Sequence, residues 1–136
     1  MAVAFSKVNS FVECLAEKLI DLGGSGLKVA LTNTAHNAAW DELADLTEIS
    51  YTNLSSRAVT VASSAQTSGT YKLTLTDLVL TATGAVGPFQ YIYLYDDAST
   101  GDKLIGYYDN GSPVTLASGD TFTLDFDASN GVLTIA

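Results

Sequence analysis

Apolar positions in this chain follow two periods, and the change between them falls near residue 25. Val8, Phe11, Val12, Leu15, Leu19 and Leu22 sit at the i, i+3, i+4, i+7 spacing of one helix face. That spacing predicts an N-terminal amphipathic α-helix over residues 6–22, about four turns long. Ser6 stands where an N-cap is expected, and Gly23 and Gly24 supply the left-handed conformation that ends many helices. Glu13, Glu17 and Asp21 recur every four residues on the opposite face, which reads as a solvated stripe.

Beyond "SG" the period shortens to two. "LKVALT" (27–32) predicts a first strand, and the polar, alanine-rich "NTAHNAAWDELADL" predicts a long crossing loop with a short helical turn near Asp41 to Leu46. From Thr47 on, β-branched and aromatic runs alternate with Gly, Ser, Asn and Asp clusters every roughly 8 to 12 residues. Strands are expected at 48–51, 58–62, 70–75, 78–83, 89–95, 103–108, 114–116, 121–126 and 132–135, with turns at "SAQTSG", "GAVGP", "DDASTGD", "DNGSP", "ASGD" and "DASNG". The fold class this implies is mainly β: an antiparallel β-sandwich, jelly-roll or immunoglobulin-like, with the helix included in one domain over residues 1–136.

Composition narrows the partners. Fifteen acidic residues against six basic ones leave a net charge of −9, which repels a phosphate backbone, so no nucleic acid is expected. No apolar run approaches the roughly 20 residues that span a bilayer, so no membrane partner is expected either. Glu13 and Glu17 interrupt the N-terminal segment where a Sec signal needs continuous apolar residues. Cys14 is the single cysteine and His36 the single histidine, which leaves neither a disulfide nor a soft-ligand metal cage to be formed within the chain.

Candidate chemistry concentrates in "FQYIYLYDDASTGDKLIGYYDNG" (89–111). Strand alternation places Phe89, Tyr91, Tyr93 and Tyr95 on one face and Gln90, Ile92 and Leu94 on the other. Such a strand is either central, with both faces covered, or partnered on one side. Tyr91, Tyr93 and Tyr95, with Tyr107 from "KLIGYY" across the turn, are the candidate protein interface, because tyrosine buries a large ring while its hydroxyl keeps a polar partner. Asp96, Asp97 and Asp102 are oxygen ligands in number but not in EF-hand spacing, and they read as solvated acids of a hairpin loop. "DNGS" reads as a second tight turn.

His36, near Trp40 and Asp41, has no nucleophile signature beside it and reads as a loop histidine. Glu42, Asp45 and Glu48 lie among polar residues that would not separate their pKa values as a glycosidase pair requires. Cys14, on the flank of the helix stripe with only Lys18 as a basic neighbour, reads as structural. The expectation is therefore no enzyme, no cofactor, no metal and no catalytic residue.

Taken whole, the chain resembles a group of small structural proteins of tailed bacteriophages. The likeness rests on "KVNSFVECLAEKLIDLG", "LKVALTNTA", "LADLTEISY", "SSAQTSGTYKL", "GPFQYIYLYDD" and "LIGYYDNGSPVTLASGDTFTLDFDASNGVLTIA", in that order. His36 departs from it, standing where proline is expected. What the resemblance implies is a virion protein, made in the host cytoplasm and carried on the capsid surface. Small β-sandwich proteins of phage heads commonly serve there as decoration or cement proteins, which makes the major capsid protein or another virion protein the expected partner, with a homo-oligomer, dimer or trimer, alongside. A tail or fibre component that recognises a host glycan is the alternative.

Overall fold

The β-branched and aromatic runs pair antiparallel throughout. The computed structural model describes residues 3–136; Met1 and Ala2, which begin the segment read for an export signal, lie outside them. Among the described residues the order is β1 (Ser6–Lys7), α1 (Phe11–Ala16), β2 (Leu27–Thr32), a 3-10 turn (Leu43–Asp45), β3 (Val61–Thr67), β4 (Thr70–Leu75), β5 (Leu78–Thr81), β6 (Val86–Asp96), β7 (Lys103–Leu116), β8 (Thr121–Leu124) and β9 (Leu133–Ile135). They form a four-stranded sheet β1-β7-β6-β2, a three-stranded sheet β3-β4-β9 and a β5-β8 pair. The architecture is mainly β, antiparallel and sandwich-like with one short helix, as the alternation predicted.

Register decides which side chains share a face of the large sheet. Ile92 lies opposite Leu31 and Tyr108, and Leu94 opposite Val29 and Gly106. This face looks toward the other sheets, where Tyr108 meets Phe126 at 6.2 Å between ring centroids and Phe89 of β6 meets Phe122 of β8 edge-on at 5.3 Å. Leu73, Leu75, Leu80 and Leu124 fill the space between, all fully or almost fully buried. Burying each such side chain is worth about 1.5–3 kcal/mol, which is why the strands hold this register. The opposite face carries Ala30, Thr32, Tyr91, Tyr93 and Tyr107.

The helix is shorter than its apolar period predicts. Residues 6–22 do not form one helix; α1 covers only Phe11–Ala16. Ser6 is no N-cap, because β1 pairs it with Tyr107, and the Val8 N–H continues the contact by donating to the Ile105 carbonyl. Gly106 allows this approach: a methyl group there would strike the Phe5 ring and the Ser6 carbonyl. The helix ends well before Gly23 and Gly24. Lys18 takes φ +65°, its N–H donates to Leu15 O at 3.2 Å, and the Leu19 N–H donates to Cys14 O at 2.8 Å. That pair of bonds is the Schellman closure, here built on lysine rather than glycine. Phe11 and Cys14 are buried against the core, while Val12 and Leu19 are exposed.

Several strand and turn assignments also change. Residues 48–51 and 58–62 do not form the strands predicted there. They give single bridges to β2, Thr32 to Glu48 and Lys28 to Ala58, and β3 begins only at Val61. "SAQTSG" is mostly strand, with the reversal confined to Ser68 and Gly69, both at positive φ. "DNGS" is not a hairpin turn either. It lies inside the 14-residue β7, where Tyr91 pairs with Asp109 but Phe89 pairs with Val114, so residues 110–113 bulge out of the ladder. The "DDASTGD" hairpin between β6 and β7 and the helical turn near Asp41 to Leu46 are where the sequence predicts them.

Candidate functional site

The outer face of the large sheet is roofed by the crossing loop between β2 and the 3-10 turn. Thr32, fully buried, anchors the loop's start: its Oγ1 donates to the Thr47 carbonyl at 2.6 Å and accepts the Thr34 N–H at 3.2 Å. The 3-10 turn anchors its end through a capping box between Glu42 and Asp45. Glu42 also pairs with Lys103 at the start of β7. Between these anchors the loop lays His36 and Trp40 over the tyrosines.

His36 Nδ1 meets the Tyr93 hydroxyl at 2.8 Å. Its ring stacks on Tyr107 at 4.4 Å between centroids and 23°, and Trp40 stands edge-on to it at 5.9 Å. Tyr93 and Tyr107 stack at 5.3 Å. His36, Trp40, Tyr91 and Tyr107 are half-buried, so four aromatic rings share one partly open surface over a buried fifth. Burial pushes the His36 imidazole below its ordinary pKa and the Tyr93 phenol above its own. Both groups are therefore held neutral, and the imidazole tautomer sets which of the two donates in the bond between them.

Two members of the expected interface are corrected by this packing. Tyr93 is 0% and Tyr95 2% exposed, so neither presents a ring to a partner. The reason is that β6 is a central strand with both faces covered. Tyr91 and Tyr107 do reach the surface. Tyr95 follows a register shift after Leu94, and burial raises its phenol pKa while the nearby Arg57 charge opposes the rise. Arg57 itself lies 3.7 Å over the Tyr51 ring and donates to the Val29 carbonyl at 2.7 Å, and the Tyr51 hydroxyl donates to Glu48 at 2.6 Å.

The acidic loop is not uniformly solvated. Asp96 is 2% exposed and ties three segments together: Oδ2 accepts the Asp21 N–H at 2.9 Å, Oδ1 accepts the Ala98 N–H at 3.0 Å, and its carbonyl accepts the Ser99 hydroxyl at 2.6 Å. Asp97 is exposed and pairs with Lys28 at 3.0 Å. Asp102 takes φ +52° to close the turn. Among the described residues, no three His, Cys, Asp or Glu side chains gather at metal-binding distance.

Glu42, Asp45 and Glu48 are each engaged in the scaffold, with Lys103, with the capping box and with Tyr51 respectively. The Asp41 and Glu42 backbone N–H groups hold the Asp45 carboxyl below its usual range, while burial and the adjacent Asp45 raise Asp41. Cys14 is buried, and burial raises its thiol. No helix among the described residues is long and apolar enough to cross a membrane.

Sequence reasoning placed Tyr91 and Tyr107 on the surface and missed that His36 and Trp40 complete their cluster. The available signal was an aromatic pair inside a loop of small residues, which has no periodicity to read. Comparison of the chain with protein-family models, with curated proteins and with solved structures finds no match.

Proposed function

We propose that this is a bacteriophage virion structural protein that acts as a capsid decoration, or cement, protein on the major capsid protein lattice. The observation that carries this reading is the pre-ordered aromatic surface. Trp40, Tyr91 and Tyr107 are half-buried, and Trp40 and Tyr107 are braced by ring contacts with His36 and Tyr93, so a partner can cover that pair without the rings first losing conformational freedom. Aromatic rings of this kind are the residues that anchor protein contacts. The resemblance to phage structural proteins supplies the setting, and many copies on a lattice multiply a modest contact. The acidic balance suits a protein that must stay soluble until it meets the shell.

The same rings suit a sugar face, which keeps a glycan-binding tail or fibre component as the second reading. Cryo-electron microscopy of intact virions separates the two. Density over capsomer junctions on the head is the expected result, and density confined to the tail would overturn the decoration role.

A further inference from the structure

The β3 edge has a different character from the other strand edges near it. The outer edge of β2 is closed by short segments: Val29 N–H donates to Arg57 O, Val59 N–H to Leu27 O, and Ile49 N–H to Leu31 O. β5 is likewise met along its edge, where the Ser55 N–H donates to Thr81 O. β3, seven residues long, pairs with β4 alone, and no backbone bond among the described residues reaches its other side. Residues 62–70, the length of β3 after its first residue together with the turn, are exposed on both faces.

Exposed edges are normally protected by charge or proline. Residues 58–71 contain no Asp, Glu, Lys, Arg, His or Pro, and the one irregularity is a register shift between Val61 and Ser63. This matters for the identity of the occupant. A chain of net charge −9 repels its own copies wherever carboxylates would meet, so a self-contact is cheapest where charge is absent. The side chains are also mutually compatible. About a two-fold axis at Ser64, the middle of β3, Ser63 faces Ala65 of the other copy and Val61 faces Thr67, all small or β-branched.

We infer that β3 is a docking edge for β3 of a second copy, paired antiparallel about a two-fold axis. The two three-stranded sheets then join as β9-β4-β3-β3-β4-β9, and the strand that overhangs the core gains a ladder partner on its bare side. The contact requires no virion protein, so it stands or falls apart from the decoration role.

Sedimentation equilibrium of the purified full chain tests it, with Ala65→Glu and Ala65→Lys as variants. Ala65 is exposed and close to the axis, so two long side chains of like charge face each other diagonally across it. Wild type is expected to sediment as a dimer. Each variant alone should weaken association by about tenfold or more, and an equimolar mixture should recover the dimer. Circular dichroism and thermal melts matching wild type establish that the variants fold. Three results overturn the inference: a monomeric wild type, a dimer that neither charge disturbs, or a monomer whose occupancy on purified heads falls with Ala65→Glu, which assigns the edge to a capsid strand instead.

Discussion

His36 and Tyr93 share one hydrogen bond, and its direction depends on a proton. In its Nε2–H tautomer a neutral imidazole accepts the Tyr93 O–H at Nδ1; a protonated one has no lone pair there, and the buried hydroxyl then has no other acceptor among the described residues. Burial lowers the folded-state pKa of His36 below the ordinary 6.5. The unfolded chain therefore binds more protons in that range, and stability rises with pH. The contribution is complete above the unfolded pKa and is lost as pH falls through the folded one. Urea melts stepped from about pH 7 to about pH 5 should show declining stability in wild type and a flatter profile in His36→Phe. Equal slopes in the two proteins would remove His36 from the account. Asp109, held low by the Gln90 amide and the Gly111 N–H, loses its contribution only at more acid pH. Tyr93→Phe should cost about 0.5–1.5 kcal/mol through the lost bond. Tyr93→Ala should cost about 3–5 kcal/mol, because it empties a fully buried site.

At the scale of the element, α1 shows how one apolar stripe divides between two tasks. Phe11 is fully buried against the core, whereas Val12 is 58% exposed. Phe11→Ala should destabilise the isolated chain by about 3–5 kcal/mol, and Val12→Ala should stay within about 0.5 kcal/mol. Comparable losses in denaturant melts would show that the helix packs differently. The end of α1 gives a prediction of the opposite sign. Lys18 holds φ +65° in the Schellman closure, a conformation that carries no steric penalty for glycine. Lys18→Gly should raise stability by up to about 1 kcal/mol, since the relieved strain exceeds the added freedom of the unfolded chain only modestly. A clear loss in the same melts would mean that the lysine side chain contributes there.

For the whole molecule, the sheet and its loop roof act as one support for the aromatic surface. The proposed decoration role requires that surface, while the acidic hairpin serves the fold. Tyr107→Ala and Trp40→Ala should each lower occupancy on purified heads, by the 1 kcal/mol or so typical of a partly exposed aromatic contact, about fivefold in affinity. Asp97→Ala, which removes only an exposed pair with Lys28, should leave occupancy within about twofold. Occupancy unchanged in both aromatic variants would take the cluster out of the contact, and it would then serve the fold alone.

Period-two alternation is a local property, set by where successive side chains point, and it was enough to determine the β class, most strand positions and the hairpin at "DDASTGD". The helical turn near Asp41 to Leu46 was legible for an equally local reason, a polar, alanine-rich run unsuited to a strand, and the structure closes it with the capping box of Glu42 and Asp45. What the sequence could not decide are the features that depend on a distant neighbour. Ser6 leaves the helix because β7 offers a strand edge beside Gly106, Tyr93 is buried because the crossing loop folds over β6, and Tyr95 is buried with Arg57 beside it. Asp96 gives up solvent because the Asp21 backbone, 75 residues away, brings it a donor. His36 and Trp40 join the tyrosines only when that loop folds back across the sheet. Backbone geometry repeats along the chain and can be read in order; burial and partnership arise from long-range pairing, and only the tertiary structure decided them.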